Sequence, residues 1–349
     1  MPQPKPPAPV GFRFPARHRK GAPPPHRGRG KDGRIKLTWF AVIAAAVIIA
    51  LAVILIGGVA GQGGGGQPGG PAARSPAAVT LARRTYLGIY TPGVPQSYAK
   101  VSAFTARTGV MPGIVVYYSG WPEPFHARFA AAVAQHGAVP LVQMDPTGAS
   151  LAAIAAGTYD TYLLSFAAAV KAQRGPVILS FGHEMNGPWY PWGYRHTSPR
   201  VFVAAWRHVV TVFRAAHAQN VTWLWTVNII RRGHIPSPAR WWPGSRYVNW
   251  VGIDGYYYQP SWKFASLFGP TIKVVHALTL DPILIAETGA APAAGKPGKI
   301  ADLVAGVRAY GLRGFVWFDA DRKRDWRLDS SPALAAFRRG AQTLNSPAP

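Results

Sequence analysis

Eight short apolar runs rich in β-branched and aromatic residues recur between residues 86 and 318, and helical patterns lie between most of them. This alternation predicts an α/β fold in which parallel strands are joined by helical crossovers. Eight strands in about 260 residues match a (β/α)8 TIM barrel in both count and size. The predicted strands are Tyr86–Tyr90, Gly113–Tyr118, Val139–Met144, Val177–Phe181, Val221–Val227, Val248–Asp254, Ile283–Ala286 and Gly314–Phe318.

The segment that follows the fourth run carries the clearest helix signal. Ser198 is an N-cap residue, Pro199 fits the first turn, and apolar residues recur on one face from Val201 to Phe213. A doubly wound sheet is the alternative fold, but no G-x-G-x-x-G loop follows a strand, which weakens its dinucleotide-binding version. Further helices are expected over Phe125–Gln135, Tyr162–Ala172, Phe264–Leu278, Ile300–Tyr310 and Pro332–Leu344.

The N-terminal region has a different composition. Leu37 to Ala60 is a 24-residue stretch without a charge, long enough as a helix to cross a hydrocarbon core of about 30 Å. Ten basic residues precede it and none follows until Arg74, which predicts a cytoplasmic N-terminus. A signal peptide cleaved near Ala60, which would release a secreted protein, is the alternative.

We therefore expect a disordered basic cytoplasmic tail over residues 1–36, a single-pass transmembrane signal-anchor helix over 37–60 and a Gly/Pro/Ala-rich linker over 61–84. The barrel domain would occupy residues 85–345 on the outer side of the cell membrane. Anionic lipid headgroups are a nearer partner for the basic tail than nucleic acid, because the apolar span adjoins it.

Charge and cysteine content limit the chemistry. The chain has no cysteine, which excludes disulfides, thiol nucleophiles, Cys-ligated zinc and iron–sulfur clusters. Its net charge is +25, of which the tail contributes +9, so the other 313 residues carry +16. Only 13 residues are acidic. A carboxylate at the end of a predicted strand is therefore a candidate functional group.

Two glutamates occupy such positions. Glu184 follows the fourth strand and Glu287 the seventh, and a barrel gathers the carboxyl ends of its strands around one mouth. A lone glutamate there is usually a salt-bridge partner. Two carboxylates across a mouth suit glycosidic bond hydrolysis, because one must be protonated to donate to the leaving oxygen and the other must be ionised.

Polar and aromatic residues gather at the same predicted mouth, where polar groups would bond sugar hydroxyls and aromatic rings would pack on sugar faces. His183 and Glu184 do not form a zinc motif, because Gly187 stands where the second histidine would be needed. No metal or organic cofactor is expected. The candidate substrate-binding or orienting residues are His183, Tyr256, Asn228, Trp189, Trp192, Trp317, Trp121, Asp145 and Asp254.

The run FGHEMNGPWYPWG at residues 181–193 resembles the signature of glycoside hydrolase family 26, the β-mannanase family. The run IAETG at residues 285–289 is similar to the family's strand-seven segment, and the spacing of Asp254 and Tyr256 is similar to its strand six. The resemblance implies a retaining mechanism. Glu184 would be the acid/base, and Glu287 would be the nucleophile that forms a covalent glycosyl-enzyme.

The resemblance also implies supporting roles at the predicted mouth. Tyr256 would hydrogen-bond Glu287 and keep it ionised, while Trp192, Trp317 and Asn228 would shape the flanking subsites. A retaining mechanism places the two carboxyl groups about 5–5.5 Å apart.

These observations predict a membrane-anchored, outward-facing retaining endo-β-glycoside hydrolase, with endo-β-1,4-mannanase as the first expectation. The family also cuts mixed-linkage β-glucan and β-xylan, so a β-glucanase or xylanase stays open. A hydrolase that remodels the cell's own wall or exopolysaccharide, and a non-catalytic carbohydrate-binding protein, are further alternatives. The +16 charge indicates residence near an anionic surface or an acidic polymer as substrate. A monomer that binds polysaccharide and membrane, but no nucleic acid, is expected.

Overall fold

In the computed structural model, residues 81, 84–291, 295–322 and 324–346 are described. Eight parallel strands form a closed barrel in chain order, with β8 pairing back onto β1. The predicted (β/α)8 barrel is therefore confirmed, and the doubly wound sheet is not. The strands are β1 (Tyr86–Tyr90), β2 (Ile114–Gly120), β3 (Val139–Asp145), β4 (Val177–Phe181), β5 (Val221–Asn228), β6 (Trp250–Asp254), β7 (Ile283–Thr288) and β8 (Gly314–Phe318).

Helices occupy the connections between strands. Those predicted are present, except that the segment expected as one helix after β6 is divided, because Pro270 at the second position of α7 begins a new helix there. The sequence did not predict α1 and α3. The helices are α1 (Ala99–Thr108), α2 (Ala127–Gln135), α3 (Leu151–Ala155), α4 (Asp160–Ala172), α5 (Pro199–Ala215), α6 (Phe264–Leu267), α7 (Gly269–His276), α8 (Lys296–Ala309) and α9 (Ser331–Asn345).

The core lies within the barrel and between the barrel and its helices. Helix α5 begins where predicted, with the Ser198 hydroxyl accepting a hydrogen bond from the backbone N–H of Val201. Its buried face includes Trp206 and Phe213, and both pack against Trp223 of β5. Each large apolar side chain buried in this way contributes about 1.5–3 kcal/mol.

The predicted basic tail, the predicted anchor over residues 37–60 and nearly all of the predicted linker lie outside the described residues. Among the helices that the structure does describe, none is both long enough and apolar enough to cross a membrane.

Irregular strand pairing occurs at the carboxyl ends of β6 and β7. The register shifts between Ile253 and Asp254, so that Asp254 pairs with Glu287, and it shifts again between β7 and β8 beyond Ile285. Such irregularities re-aim side chains and are common beside active sites. A short hairpin of β9 (Asp321–Arg322) and β10 (Arg324–Asp325) follows β8.

The closure between β8 and β1 yields a stability prediction. Gly314 has a φ of +123°, and a β-carbon there would lie 1.8 Å from the carbonyl oxygen of Tyr86. We expect Gly314→Ala to lower the free energy of unfolding by more than roughly 3 kcal/mol, beyond the usual range for point mutations. Urea unfolding followed by tryptophan fluorescence measures this.

The matched control is Gly137→Ala. Gly137 also has a positive φ, of +72°, but a β-carbon there meets nothing within 4 Å. In this variant the free energy of unfolding should fall only by the cost of a left-handed backbone at alanine, about 1–2 kcal/mol. Equal losses of unfolding free energy in the two variants would contradict the steric clash expected at Gly314.

Candidate active site

The backbone at Glu184 is strained and firmly anchored. Glu184 has a φ of +54° and follows Gly182, whose φ is +57°. Its backbone N–H donates to the carbonyl of Thr226 on β5 at 2.9 Å, and its carbonyl accepts from the N–H of Gly187 at 2.8 Å. A left-handed conformation costs a non-glycine residue about 1–2 kcal/mol, and it persists where the surroundings over-determine it. The strain accompanies a side chain held at the carboxyl end of β4.

The Glu184 carboxyl is buried and hydrogen-bonded through both oxygens. Oε2 accepts from the indole N–H of Trp189 at 2.6 Å, and Oε1 accepts from the side-chain amide of Asn228. Burial, together with the charge of Glu287, raises the pKa of Glu184 to about 7, although His183 and the two donors lower it. Near neutral pH this carboxyl can therefore carry a proton.

Asn228 is itself held in place by Asn186. The Asn228 backbone N–H donates to Oδ1 of Asn186 at 2.8 Å, and Nδ2 of Asn186 donates back to the Asn228 carbonyl at 2.9 Å. Nδ2 also donates to the carbonyl of Pro236 at 3.2 Å. Asn186 is fully buried and lies two residues after Glu184, so the loop after β4 orients one of the donors to Glu184.

The Glu287 carboxyl has two tyrosine partners. The hydroxyl of Tyr256 donates to Oε2 at 2.7 Å, and the hydroxyl of Tyr118 donates to Oε1. Hydrogen bonds to an ionised carboxylate are the stronger kind, so two of them stabilise its negative charge. Burial and the charge of Glu287 raise the pKa of both tyrosines well above the usual value, which keeps them as donors.

Tyr118 was not among the predicted site residues. Its position near the carboxyl end of β2 was the one available signal, because side chains there face the mouth. The predicted contact of Tyr256 with Glu287 is present, and Tyr118 provides a second, at the other carboxyl oxygen.

His183 lies between two polar partners. Its Nδ1 is 2.8 Å from Oδ1 of Asp145, and its Nε2 is 3.1 Å from the hydroxyl of Tyr190. Burial lowers the pKa of His183, but the charge and hydrogen bond of Asp145, together with the charges of Glu287 and Glu184, raise it to about 9. His183 is therefore a cation at neutral pH, and its charge lowers the pKa of Glu184.

Asp254 is a third carboxyl group at this end of the barrel. It is completely buried, and neither carboxyl oxygen has a hydrogen-bond partner among the described residues. Burial and the charges of Glu287 and Glu184 raise its pKa well above the ordinary value, which favours the protonated form. Within the described part of the chain, no cluster of three His, Asp or Glu side chains could hold a metal ion.

The predicted tryptophans lie in different places. Trp189 is half-buried and contacts Glu184, whereas Trp192 is buried, with its indole N–H donating to the carbonyl of His183 at 2.8 Å. Trp121 packs edge-on against Tyr162, at a ring-centroid distance of 4.5 Å. Of the three, only Trp189 contacts a candidate catalytic carboxyl.

Trp317 does not reach the mouth, contrary to the stacking role predicted for it. It is fully buried, its ring lies 6.1 Å from that of Phe337 on α9, and its indole N–H donates to the carbonyl of Trp326 at 2.9 Å. Its side chain faces the helical layer because residues alternate between the two faces of a strand. Trp326, which was not among the predicted site residues, instead has its ring 4.8 Å from that of Tyr256.

The chain is similar to known proteins. Residues 149–330, more than half of the chain, match Glycosyl hydrolase family 26. Endoglucanase H of Acetivibrio thermocellus is 32% identical over 263 residues, which are 70% of this chain and 29% of that protein. Mannan endo-1,4-beta-mannosidase A and B of Caldalkalibacillus mannanilyticus is 31% identical over 85 residues, which are 22% of this chain and 16% of that protein. The chain thus spans less than a third of either relative.

Solved structures share the fold. A Cellulomonas fimi endo-beta-1,4-mannanase double mutant has a TM-score of 0.59 at 18% identity, covering 74% of this chain and 70% of that chain. A Bacillus subtilis mannanase has a TM-score of 0.55 at 15% identity, covering 75% of this chain and 84% of that chain. At such identities the likeness concerns the barrel alone.

The histidine–aspartate contact yields a prediction. We expect Asp145→Asn to lower the pKa of His183 from about 9, because burial is then opposed only by the charges of Glu287 and Glu184. The pKa of Glu184 should rise above about 7, since a nearby cation is lost. NMR titration of the His183 ring and the Glu184 carboxyl measures both.

Asp160→Asn is the matched control, because Asp160 pairs with His208 at 2.6 Å on the helical layer. It should leave both titrations unchanged, and an unchanged His183 pKa in Asp145→Asn would contradict the assignment. The folded pKa of His183 lies above its unfolded value of about 6.5, so its stabilising contribution is complete below that pH. The contribution is lost as the pH rises through about 9.

Proposed function

Because the chain belongs to glycosyl hydrolase family 26, it is a glycoside hydrolase, and we propose that it is a retaining endo-β-1,4-mannanase acting by double displacement. The membership confirms the resemblance that residues 181–193 indicated. The observation that carries the mechanism is the unlike surroundings of two buried glutamates. Burial and a neighbouring charge favour a protonated Glu184, whereas two tyrosine hydroxyls donate to Glu287.

In the first step, Glu287 attacks the anomeric carbon while Glu184 gives its proton to the glycosidic oxygen. The bond between that carbon and the leaving oxygen breaks, and a covalent glycosyl-enzyme forms. Glu287 loses its negative charge in the process. Since that charge helps to raise the pKa of Glu184, the pKa falls at this point and Glu184 becomes an ionised base.

In the second step, Glu184 takes a proton from water, and the water oxygen attacks the anomeric carbon. The bond to Glu287 breaks, both glutamates return to their starting states, and the sugar keeps its original configuration. His183 stays cationic beside Glu184 and favours the ionised form that this step requires.

Two relatives support the choice of substrate. Mannan comes first because the relative from Caldalkalibacillus mannanilyticus is named a mannan endo-1,4-beta-mannosidase. A β-glucan is the second candidate, because the relative that aligns over 263 residues is named an endoglucanase. Xylan and the cell's own wall or exopolysaccharide are further substrates to test.

The sequence supports a location at the cell membrane. The uncharged stretch over residues 37–60 and the ten basic residues before it support a membrane anchor with the barrel outside the cell. The composition of residues 61–84, with four consecutive glycines, is typical of a linker between such an anchor and the barrel.

Hydrolysis by the full chain in a non-ionic detergent tests the proposal. We expect cleavage of β-mannan, glucomannan or mixed-linkage β-glucan, a loss of at least about 100-fold in kcat for Glu184→Gln, and activity at background for Glu287→Gln. Glu123→Gln is the matched control, since Glu123 is half-exposed and accepts from the Gly120 N–H at 3.1 Å. Full activity in Glu287→Gln would contradict the proposed mechanism.

Double displacement also predicts the first product. Proton NMR of a fresh digest should show the β-anomer before mutarotation. The α-anomer appearing first would indicate inversion and overturn the covalent intermediate while leaving hydrolysis intact.

The pH profile provides a further prediction. The value of kcat/KM should fall as the pH rises through about 7, because Glu184 loses the proton that it must donate. In Trp189→Phe, the carboxylate loses a donor, so the pKa of Glu184 rises and the alkaline limb moves to higher pH. Trp121→Phe should leave the limb in place, and a shift common to both variants would contradict the assignment.

A further inference from the structure

The β9–β10 hairpin carries an arrangement of charge that strand pairing does not favour. Arg322 lies opposite Arg324 in its antiparallel register, and Asp321 lies opposite Asp325. Because side chains alternate between faces along a strand, the two arginines share one face and the two aspartates share the other. Like charges directly opposite each other destabilise a strand pair, so this register calls for another explanation.

The aspartate face is occupied by another cation. Arg327 forms two hydrogen bonds of 2.8 Å with the carboxylate of Asp325 and lies 3.9 Å from Asp321. These bonds hold the pKa of Asp325 at about 2, so the carboxylate stays ionised. The acids of the hairpin are thus engaged on the face away from the two arginines.

The hairpin borders the site, because the ring of Trp326, directly after it, lies 4.8 Å from that of Tyr256 and 5.2 Å from that of Tyr258. Burial raises the pKa of Tyr90, and the charge of Arg322 lowers it. The ring of Tyr90 lies 5.2 Å from that of Tyr118, and the hydroxyl of Tyr118 donates to Glu287. The charge of Arg322 therefore acts on a tyrosine whose ring packs against a partner of the proposed nucleophile.

Two more guanidinium groups act on the same region. The charges of Arg231 and Arg324 both lower the pKa of Tyr258, which burial and Glu184 raise to about 12. Arg231 also lies 6.0 Å above the ring of Trp262, and that ring lies 6.1 Å from the ring of Tyr258. Arg231 and Arg324 thus both act on Tyr258, and Arg231 also packs on the ring beside it.

Helix α8 fixes the hairpin and the loop that carries Trp262. Nζ of Lys299 donates to the carbonyl of Pro260 at 2.6 Å and to that of Trp262. Nζ of Lys296 donates to the carbonyl of Asp325 at 3.2 Å and to that of Arg327. Both lysines are buried in one helical turn, so the hairpin and the Trp262 loop are held ready for a ligand.

Resting on the proposed function, we propose that Arg231, Arg322 and Arg324 form an anion-binding rim, and that the preferred substrate is an acidic β-glycan with carboxylate or phosphate groups near the cleaved bond. A planar guanidinium pairs with carboxylate and phosphate through two parallel hydrogen bonds. The net charge of +16 on the chain beyond its basic tail attracts such a polyanion.

Matched polymers test the rim with the full chain in a non-ionic detergent. Glucomannan and mixed-linkage β-glucan are each supplied neutral, oxidised to the C6 carboxylate and phosphorylated. We expect kcat/KM at low salt to be at least about tenfold higher on one anionic form than on its neutral parent. The ratio should fall as added salt screens the charges, and the two anionic arms distinguish carboxylate from phosphate.

Variants of one hairpin residue assign the preference. Arg324→Gln should reduce the anionic-to-neutral ratio about tenfold, and Arg324→Lys should restore part of it because charge remains without the planar fork. Arg339→Gln is the control, since it removes the same charge from an exposed position on α9. A wild-type ratio near one, or equal effects of Arg324→Gln and Arg339→Gln, would overturn the rim.

Binding measurements distinguish failure of the rim proposal from failure of the hydrolase proposal. The Glu287→Gln chain should bind the anionic polymer more tightly than the neutral one, and the additional Arg324→Gln change should abolish the difference. If no polymer is cleaved, this binding difference still supports the rim while the hydrolase proposal fails. Binding to anionic phosphatidylglycerol vesicles without preference for the acidic glycans would overturn the proposal in favour of a membrane contact.

Discussion

Two buried glutamates at the mouth of one barrel repel each other, and much of the surrounding structure follows from that repulsion. Ionising both in a poorly solvated site is costly, so one favours the protonated form. The unlike partners around the two glutamates determine which one is protonated. Two tyrosine hydroxyls donate to Glu287, while the pKa of Glu184 rises to about 7. The same asymmetry provides an acid and a nucleophile from one residue type.

The surrounding residues limit the rise in the pKa of Glu184. A Glu184 that never ionised could not act as a base, and three groups counter the effect of burial on it. Trp189 and Asn228 donate to its carboxyl, and His183 supplies a positive charge. That charge depends in turn on Asp145, because burial alone would lower the pKa of the histidine. Asp145 on β3 thereby affects the protonation of Glu184, acting through His183 in the loop after β4.

The strands were predictable because a parallel barrel buries both faces of each strand, which leaves continuous apolar runs in the sequence. Predicted and observed strands agree to within two residues at every end. Helices were harder to predict where their apolar stripe is short, as in α3, or where proline restarts a helix, as in α7. Glu184, Glu287 and His183 stood out for a different reason, since acids are rare in this chain and the run at residues 181–193 is distinctive.

The sequence by itself determined the barrel, the two glutamates at its strand ends and the family, because periodicity and motif spacing are local along the chain. Only the tertiary structure decided the partners of those glutamates. Tyr118 lies 169 residues from Glu287 along the chain, and no local pattern links them. Trp317 and Trp326 are nine residues apart, yet one is buried against a helix while the other packs beside Tyr256. The face that a side chain takes depends on strand alternation and closure of the barrel, and both are set by contacts between distant segments.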